Sequence, residues 1–466
     1  MAAPFTVLVM AAGQGTRMRS DTPKVLHRVA GKSLVEWVVD AAREAGAGRV
    51  VAIVRPGDGV AEGLPDGVEV AEQVEGEGTG SAVLAARGAV LGEAGLDGDG
   101  GPVVVLSGDH PLITADQLRG LMEEHARRGA FATLLTTDRL DPAGYGRVVR
   151  DSDGSVERIF ETKYTEGLSE NELAVREVNL GTYVFDRNAL FSALDGVGLD
   201  KGERYLTNVL PIIKRDGGTV AAHLTEDADA GIGVNDRAGL MAAEEAAQRR
   251  IVEAHARAGV TFLQPGTIRV EAGVTIGRDT VIGPGTVLEG TTSVGERCEL
   301  GPHTTARDAT IGDGATVIHS FVLQATVGAD TKVGPFAYLR PGTTIGEGVK
   351  VGTFVEIKNS DIGAGSKVPH LSYLGDADVG EGSNLGASTI TANYDGRRKH
   401  RTKLGKSVKT GIHTSLVAPL NVGDRAYTGA GSTITGDVPD GALGIAREEQ
   451  KNIEGYADRV EEDSQK

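Results

Sequence analysis

The stretch that decides the fold of half this chain is residues 275–300, TIGRDTVIGPGTVLEGTTSVGERCEL, where aliphatic side chains recur with a period of six. The same phase continues further along the chain. Its members are mostly followed by glycine: Ile276, Ile282, Leu288, Val294 and Leu300, then Val327, Val333, Leu339, Ile345, Val351 and Ile357. A period of six fits neither a helix nor an ordinary sheet face, and it is typical of a parallel β-helix. We therefore predict a solenoid of triangular coils, three repeats to a coil, over residues 259–466.

The six-residue phase is interrupted, and we expect surface loops where it slips, because a solenoid usually expels a loop at such a point. The longest unpatterned stretch is NYDGRRKHRTKLG, residues 393–405. It contains the unbroken sequence RRKHR at 397–401, which we call the basic run. The shorter slips lie between Leu300 and Ile311, between Val317 and Val327, and between Ile357 and Ile362.

The basic run belongs to an acidic chain of 466 residues with a formal net charge of −17. This balance argues against general binding to nucleic acid or to an anionic membrane, since either would require a broad basic surface. We expect the run to bind a small anion locally. The alternative is an exposed loop that is merely basic.

Cys298 is the only cysteine, which excludes an intramolecular disulfide framework and fits a reducing compartment. The N-terminal stretch MAAPFTVLVMAAGQG has no basic segment before its apolar run, so it predicts a first strand rather than a secretory signal. No stretch reaches the roughly 18 apolar residues of a membrane span. We therefore expect a cytoplasmic protein without a membrane span.

The first half of the chain has a different pattern. Up to about residue 235, short β-branched runs such as TVLVMAA and PVVVLSGD alternate with helical stretches such as SLVEWVVDAAREAG. This alternation predicts a Rossmann-like α/β domain with a mostly parallel sheet between two layers of helices. The Ala-, Glu- and Arg-rich residues 237–258 predict a connecting helix. The expected organisation is a domain at 1–236, this helix, and the β-helix.

Strand one leads directly into a glycine-containing turn with Gly13 and Gly15, and such a turn lets the backbone approach a phosphate. Met18 stands where the dinucleotide-binding fingerprint requires its third glycine, and the turn has no Gly-Lys-Ser/Thr of a P-loop. Arg17 and Lys24 supply positive charge nearby. The pattern favours a triphosphate.

Two further features point to the same ligand. The segment GEGTG at 76–80 precedes a helix, although a plain turn would also explain it. Asp109 follows the strand PVVVLS, at the carboxyl end where open α/β sheets bind ligands. A carboxylate there fits Mg²⁺, which commonly takes one or two carboxylates plus substrate phosphates. We predict a site for a nucleoside triphosphate with Mg²⁺.

These motifs resemble those of sugar-1-phosphate nucleotidylyltransferases. The shared segments are AAGQGTRM, TPKVLH, GTG, SGD, GYGR at 144–147, EVNLG at 177–181 and GVNDR at 233–237. With the hexapeptide half and PHLSYLGD at 369–376, the whole chain resembles the bifunctional N-acetylglucosamine-1-phosphate uridylyltransferase / glucosamine-1-phosphate N-acetyltransferase family. The resemblance implies two reactions with acetyl-CoA, UTP and Mg²⁺, leading to a nucleotide sugar for peptidoglycan. It also implies a left-handed β-helix that forms a homotrimer.

The resemblance assigns residues to the uridylyltransferase site, in addition to Arg17. It implies that Asp109 and Asn235 hold Mg²⁺. It places the nucleotide and sugar on Met10, Ala11, Ala12, Gly13, Lys24, Gln73, Gly78, Thr79, Ser107, Gly108, Asp109, Gly146, Glu161 and Asn179.

In the second half, His370 is the histidine with the most suggestive surroundings, in KVPHLSYLGDA. N-acetyl transfer needs a base to take a proton from an amine, and an imidazole has a suitable pKa. The resemblance assigns His370 this role. It further implies sugar-phosphate contacts at Arg340, Lys358, Tyr373 and Asn384, and acetyl-CoA contacts at Ala387, Asn393, Tyr394, Ile412, Ala430 and Arg447. Asn393 would orient either the amine or the thioester carbonyl, and the adjacent basic run would offset the phosphates of the coenzyme.

The sequence departs from the family pattern at several positions. Ile412 stands where the family usually has a serine, so a hydroxyl expected at the coenzyme is missing. Asn208 replaces a usual aspartate, and Gly76, Glu77 and Ser81 also differ around the GTG motif. We expect these changes to bear on substrate preference.

Three hypotheses follow. The first is the bifunctional enzyme. The second retains the nucleotidylyltransferase but gives the β-helix another sugar or acyl donor. The third makes the β-helix a catalytically silent oligomerisation scaffold, and the joint presence of His370, Arg340, Lys358 and Asn393 argues against it.

Overall fold

The structure is a computed structural model that describes residues 5–92, 101–143, 145–161, 174–200 and 202–464. Gly144 of the predicted GYGR motif lies outside these residues. The chain separates into two compact units, Met1–Arg249 and Arg250–Lys466. The division falls within the helix Arg237–Arg257.

The first unit contains a sheet and the helices that cover it. Its strands are β1 Thr6–Met10, β2 Arg28–Val29, β3 Lys32–Ser33, β4 Arg49–Val54, β5 Glu69–Glu72, β6 Val103–Ser107, β7 Ala132–Thr137, β8 Gly146–Arg150, β9 Val156–Glu161, β10 Val178–Phe185 and β11 Val220–Leu224. Its helices are α1 Leu34–Glu44, α2 Thr79–Ala85, α3 Arg87–Leu91, α4 Ala115–Arg128, α5 Arg187–Gly196, α6 Val209–Arg215 and α7 Arg237–Arg257, the last running into the second unit.

Capping residues explain where two of these helices begin. Ser33 and Glu36 form a reciprocal capping box at the start of α1, and Thr114 and Gln117 form another at the start of α4. Each box satisfies backbone N–H groups that have no partner inside the helix. The helices then pack their apolar sides against the sheet.

The sheet has the order β11-β7-β10-β6-β1-β4-β5, and β8 and β9 form a hairpin beside β10. Its strands are parallel except for β10 and this hairpin, which confirms the predicted mostly parallel sheet. Met10, at the end of β1, lies in register with Ile53 and with Ser107. The carboxyl ends of three adjacent strands therefore meet at one edge.

The second unit is a parallel β-helix, as predicted, with three faces of short strands. The first face contains Thr261–Phe262, Val281–Ile282, Glu299–Leu300, Thr316–Val317, Lys332–Val333, Lys350–Thr353 and Lys367–His370. The second contains Arg269–Val270, Val287–Glu289, Thr305–Arg307, Phe321–Leu323, Tyr338–Leu339, Glu356–Lys358, Tyr373–Gly375, Ile390–Ala392, Ser415–Val417 and Thr433–Ile434. The third contains Thr275–Ile276, Ser293–Val294, Thr310–Ile311, Ala325–Val327, Thr343–Ile345, Asp361–Ile362, Ala377–Val379, Thr402–Leu404 and Leu420–Val422.

The periodic aliphatic residues form the core of these coils: Ile282, Leu288, Leu300, Leu339 and Ile357 are fully buried. After the last strand of the third face in the sequence, Tyr427–Thr428 pairs with Leu443–Gly444. The last helix of the described residues is α8, Tyr456–Ser464. Removing a branched aliphatic side chain from water contributes about 1.5–3 kcal/mol, so the repeat itself stabilises the solenoid.

The expectation of loops at the three short slips is wrong. There the coil lacks a residue, and the corner closes tightly with a residue at positive φ, such as Asp308, His319 or Asn359. The long unpatterned stretch does leave the coil. It connects Ile390–Ala392 on the second face to Thr402–Leu404 on the third, so residues 393–401 form the expelled loop.

One corner of the solenoid carries a row of neighbouring rings on its surface, which we call the aromatic ladder: His303, His319, Phe336 and Phe354. Neighbouring ring centroids are 5.0, 4.8 and 5.4 Å apart. Phe336 is 50% exposed and Phe354 is 59% exposed. Across the described residues, no helix combines the length and apolar character needed to cross a membrane.

Candidate active sites

The first unit has a cavity of about 420 Å³ at the edge where β1, β4 and β6 end. It is lined by many of the residues expected at a nucleotide site. From the prediction it contains Met10, Ala12, Gly13, Arg17, Lys24, Gln73, Gly78, Thr79, Ser107, Asp109 and Asn235. The cavity therefore brings together eleven of the residues predicted for the nucleotide site.

The loop after β1 forms one wall of the cavity. Gly15 has φ of 60°, and a Cβ there would lie 2.7 Å from the Cβ of Lys24. Only glycine allows the loop to pass so close to Lys24 in this conformation. Arg17 donates to Oδ1 of Asn235 at 3.1 Å. The loop thereby brings two cations into the cavity.

Lys24, Asp109 and Asn235 converge in the cavity. Nζ of Lys24 lies 2.5 Å from Oδ2 of Asp109 and 3.4 Å from Oδ1 of Asn235. The Asn235 segment is held against Asp109, because the N–H of Val234 donates to the Asp109 carbonyl at 2.9 Å. The oxygens of Asp109 and Asn235 therefore face one cationic position.

The Asp109 carboxylate is ionised in this environment. Burial alone would raise its pKa, but the His110 ring at 2.9 Å and the Lys24 ammonium outweigh burial and hold the pKa well below its usual range. Two oxygen ligands suit Mg²⁺, which takes its other ligands from water and phosphates. The described residues contain no cluster of three or more His, Cys, Asp or Glu side chains arranged to hold a metal by themselves.

Five predicted residues do not line this cavity: Ala11, Gly108, Gly146, Glu161 and Asn179. Ala11 is buried, and the N–H of Gly108 donates to the Met10 carbonyl at 2.9 Å. Gly146 and Glu161 are paired across β8 and β9. Asn179 donates to the Tyr183 hydroxyl at 2.7 Å.

Arg55 lines the cavity and was missed by sequence reasoning. Its Nε donates to the Ala12 carbonyl at 2.7 Å, and a guanidinium N–H donates to Glu77 at 2.9 Å. The available signal was its position directly after β4, at the carboxyl edge. Of the departures, Glu77 lines this cavity, whereas Asn208 lines a separate cavity of about 140 Å³. Ser81 lies against Gly76.

On the solenoid, His370 ends the last strand of the first face. Its side chain is exposed, and its carbonyl accepts from the Ser372 hydroxyl at 2.8 Å. Leu371, at φ of 50°, then turns the chain onto the second face, where Tyr373 begins the next strand. The imidazole is therefore close in sequence to Tyr373 across one corner and open to solvent.

Three cations gather near the end of the second-face strands. Arg340 pairs with Glu356 at 2.7 Å, and its buried Nε has no hydrogen-bond partner among the described residues. Lys358 faces Lys399 of the basic run. The pKa of Lys358 is lowered chiefly by Lys399, and less by desolvation and by Arg340. Cations held this close favour an anionic ligand between them. Lys399 was not predicted at this position.

Tyr373 and Asn393 meet above Gly375, because a Cβ at Gly375 would collide with the Tyr373 hydroxyl and with Nδ2 of Asn393. Asp376 accepts from Nδ2 of Asn393 at 2.5 Å and from Nδ2 of Asn359 at 2.5 Å. Burial alone would raise the pKa of Asp376, but both amides and the Lys399 and Lys358 ammonium groups outweigh it, so the pKa is lowered.

The residues of the basic run make different contacts. Arg401 pairs with Asp378 and, at 3.3 Å, with Asp361 on the third face, which fixes the end of the loop. His400 lies 2.7 Å from Asp395 within the loop. Lys399 lies beside Lys358, and Lys399, Arg397 and Arg398 are all exposed.

The residues expected at the coenzyme lie at or near a neighbouring corner. Gly386, Gly411 and Gly429 stack on successive coils. They are followed by Ala387, Ile412 and Ala430. Ile412 is 53% exposed and Tyr394 is 61% exposed. Asn384 forms bridges to Lys367 and Lys409 on adjacent coils, and Arg447 is exposed near the C-terminal end of the chain.

Comparisons with known proteins give matches in both the first unit and the solenoid. A MobA-like NTP transferase domain matches residues 7–208, and a bacterial transferase hexapeptide (six repeats) matches residues 324–359. Curated relatives span nearly the whole chain. "Bifunctional protein GlmU" of Mycolicibacterium gilvum is 47% identical over 464 residues, which covers 97% of this chain and 91% of that protein.

Two further relatives bear the same name and come from other bacteria. The protein of Heliobacterium modesticaldum is 47% identical over 463 residues, covering 99% of each chain. The protein of a Geobacillus species is 45% identical over 456 residues, covering 97% of each chain. The similarity therefore extends through the nucleotide cavity and the solenoid together.

Proposed function

The chain belongs to the bifunctional GlmU family, and from that premise we propose which residues perform each of its two reactions. It is a bifunctional transferase of UDP-N-acetylglucosamine biosynthesis. One reaction moves the acetyl group of acetyl-CoA to glucosamine-1-phosphate. The other moves UMP from UTP to N-acetylglucosamine-1-phosphate and releases pyrophosphate.

We assign uridylyl transfer to the cavity of the first unit. The convergence of Lys24, Asp109 and Asn235 is the observation that supports this most directly. The phosphate of the acetylated sugar attacks the α-phosphorus of UTP, and pyrophosphate leaves. Lys24 and Arg17 stabilise the charge that develops on the phosphates, while the loop from Met10 to Gly15 holds them in line.

Asp109 and Asn235 would hold Mg²⁺ through one carboxylate and one amide oxygen, since both face the position taken by the Lys24 ammonium. When bound, the ion would neutralise phosphate charge and orient the triphosphate. Oδ1 of Asp109 stays with His110, which leaves Oδ2 for the cation.

We assign acetyl transfer to the solenoid surface around His370. His370 takes a proton from the sugar amine, whose nitrogen attacks the thioester carbon. Arg340, Lys358 and Lys399 bind the sugar phosphate, because these three cations converge with only partial neutralisation by Glu356. Tyr373 and Asn384 would contact the sugar. Ala387, Asn393, Tyr394, Ile412, Ala430 and Arg447 would contact acetyl-CoA.

We propose that the solenoid forms a homotrimer whose contacts cover the aromatic ladder. Phe336 and Phe354 are too exposed to contribute to the core of a single chain. Their stacked rings form a continuous apolar strip of the kind that marks interfaces. The match to a hexapeptide-repeat transferase suggests a trimer, so further copies of this chain are the expected partner.

Residues 1–236 would act as the uridylyltransferase domain, 237–258 as the connecting helix and 259–466 as the acetyltransferase domain. We place both reactions in the cytoplasm, where acetyl-CoA and UTP are available, and expect small-molecule substrates rather than nucleic acid.

One assay tests both assignments. The enzyme is given glucosamine-1-phosphate, acetyl-CoA, UTP and Mg²⁺, and free thiol and pyrophosphate are followed separately. His370→Ala should reduce thiol release by about 10²–10⁴-fold, the usual contribution of a general base, and leave pyrophosphate formation from the acetylated sugar intact. Asp109→Ala should do the reverse. Pyrophosphate without any thiol release from the unmodified enzyme would contradict the acetyltransferase assignment.

A further inference from the structure

Asn359, Asp376 and Asn393 occupy equivalent positions on three successive coils. Each stands three residues after a member of the in-register set Glu356, Tyr373 and Ile390. Asp376 lies in the middle, with Oδ1 2.5 Å from Nδ2 of Asn359 and Oδ2 2.5 Å from Nδ2 of Asn393. Asp376 and Asn393 are each only 8% exposed. A nearly buried carboxylate thus links two amides across the coils.

This link fixes the orientation of Asn393. An ionised carboxylate only accepts hydrogen bonds, so it must face the amino group of the Asn393 amide and not its oxygen. Oδ1 of Asn393 is then directed away from Asp376, and within the described residues it accepts no hydrogen bond. That oxygen can accept from an amine N–H, but it cannot donate to a thioester carbonyl.

Asp376 also affects the charge of the site. Its carboxylate acts on Lys399 and Lys358, which form no ion pair within the described residues. A carboxylate beside two phosphate-binding lysines weakens their attraction for an anion. Its presence therefore disfavours substrate binding, which leaves the orientation of Asn393 as its contribution to the reaction.

We propose that Asp376 is a positioning residue for acetyl transfer, which holds Asn393 so that Oδ1 accepts a hydrogen bond from the 2-amino group of the sugar. The proposal rests on the proposed function of the solenoid. The aligned nitrogen lone pair forms the N–C bond, the C–S bond breaks, and His370 takes the proton from nitrogen. The sulfur of coenzyme A leaves with the electron pair and is protonated to the thiol.

The decisive variant is Asp376→Asn, which keeps the shape and removes the charge. The new amide no longer dictates which side of Asn393 faces it, so kcat for thiol release should fall by about 10²-fold through lost alignment. Because the same change removes a negative charge beside Lys358 and Lys399, the KM for glucosamine-1-phosphate should fall by about threefold, in the range of exposed charge pairs. A merely structural role would raise KM as kcat falls, and that result would overturn the proposal.

Asn359→Gly is the matched control, since glycine tolerates the positive φ of this corner and the change removes the other hydrogen bond to the same carboxylate while leaving Asn393 held. It should change kcat by less than about threefold, the effect of one ordinary hydrogen bond or less. An effect on kcat as large as that of Asp376→Asn would contradict the proposal that Asp376 acts through the orientation of Asn393.

The double variant Asp376→Asn with Asn393→Asp provides a rescue test. It preserves the hydrogen bond with donor and acceptor exchanged, and the second oxygen of residue 393 still accepts from the amine. It should recover kcat relative to Asp376→Asn alone, and no recovery would count against the proposal. Thiol release by the unmodified enzyme separates the two hypotheses: its absence refutes the proposed function, whereas normal release together with an unchanged Asp376→Asn refutes only the role of Asp376.

Discussion

The two proposed active sites hold their cations in opposite ways. In the nucleotide cavity Lys24 is paired with Asp109 at 2.5 Å, and the two side chains are only 12% and 17% exposed. On the solenoid, Lys358 faces another cation, Lys399, which lowers the pKa of Lys358. A triphosphate bound at the proposed nucleotide site would therefore compete with Asp109 for Lys24. A sugar phosphate bound at the proposed solenoid site would instead meet Lys358 and Lys399, which form no ion pair within the described residues. The charge of Lys24 is already neutralised before substrate binds, whereas the charges of Lys358 and Lys399 would be neutralised by the substrate phosphate.

The comparison is tested most strongly by replacing each lysine with methionine. Lys24→Met leaves the Asp109 carboxylate buried and without its cation, so the first unit should lose about 1–3 kcal/mol in free energy of unfolding, at or below the usual cost for a broken buried pair. Pyrophosphate formation should fall by about 10²–10³-fold, as for other groups that stabilise transition-state charge. Calorimetry and the pyrophosphate assay measure the two effects.

Lys358→Met is the matched change on the solenoid. It removes a cation from an already repulsive cluster, so the melting temperature should stay the same or rise. The KM for glucosamine-1-phosphate should increase by about tenfold, as for the loss of a charged hydrogen bond. Equal loss of stability in both variants would show that the two sites do not differ in this way.

The second difference is that we expect acetyl transfer, but not uridylyl transfer, to depend on the proposed trimer. Phe336→Glu with Phe354→Glu places charge in the aromatic ladder, and we expect it to convert the proposed trimer to a monomer in sedimentation or light scattering. Thiol release should fall by about tenfold or more, because coenzyme contacts on an open surface need a neighbouring chain to exclude water. Pyrophosphate formation should be unaffected, because the nucleotide cavity lies within the first unit. A trimer that survives both substitutions would contradict the proposed interface.

The third difference concerns the arginines that position each binding loop. Arg55 joins the Ala12 carbonyl to Glu77, and Arg401 joins the expelled loop to Asp378. Arg55→Gln should raise the KM for UTP, and Arg401→Gln should raise the KM for acetyl-CoA, each by about three- to tenfold at the level of one or two hydrogen bonds. The other activity of each variant is the internal control. A change in both activities would indicate a general loss of structure.

The period of six, the strand that leads to Asp109 and the turn before Lys24 could all be predicted, because each depends on local spacing along the chain. The roles of Lys399, Arg55 and Asp376 could not. Lys399 lies in an insertion that follows no repeat, so its position beside Lys358 could not be predicted from spacing. Asp376 acts through equivalent positions of successive coils, and the register becomes evident only when the shortened corners are known.

The three short slips are another place where spacing alone did not predict the structure. They were expected to expel loops, yet residues such as Asp308 and Asn359 adopt positive φ and close the corner with fewer residues. Asp and Asn tolerate this conformation better than most residues, so the signal was present in their identity. His319 at another corner gives a weaker signal of the same kind.

The smallest expected effect is that of Ile412, whose side chain is 53% exposed at the corner shared with Ala387 and Ala430. Ile412→Ser would restore the hydroxyl expected at the coenzyme and should lower the KM for acetyl-CoA by about two- to fivefold, the contribution of one ordinary hydrogen bond. Loss of the exposed isoleucine should also weaken any preference for longer acyl groups, since each methylene in apolar contact contributes about 0.8 kcal/mol. Comparing acetyl-CoA with propionyl-CoA in both proteins measures this directly. If Ile412→Ser leaves both KM values unchanged, the side chain does not contact the acyl donor, and the coenzyme binds elsewhere on the solenoid surface.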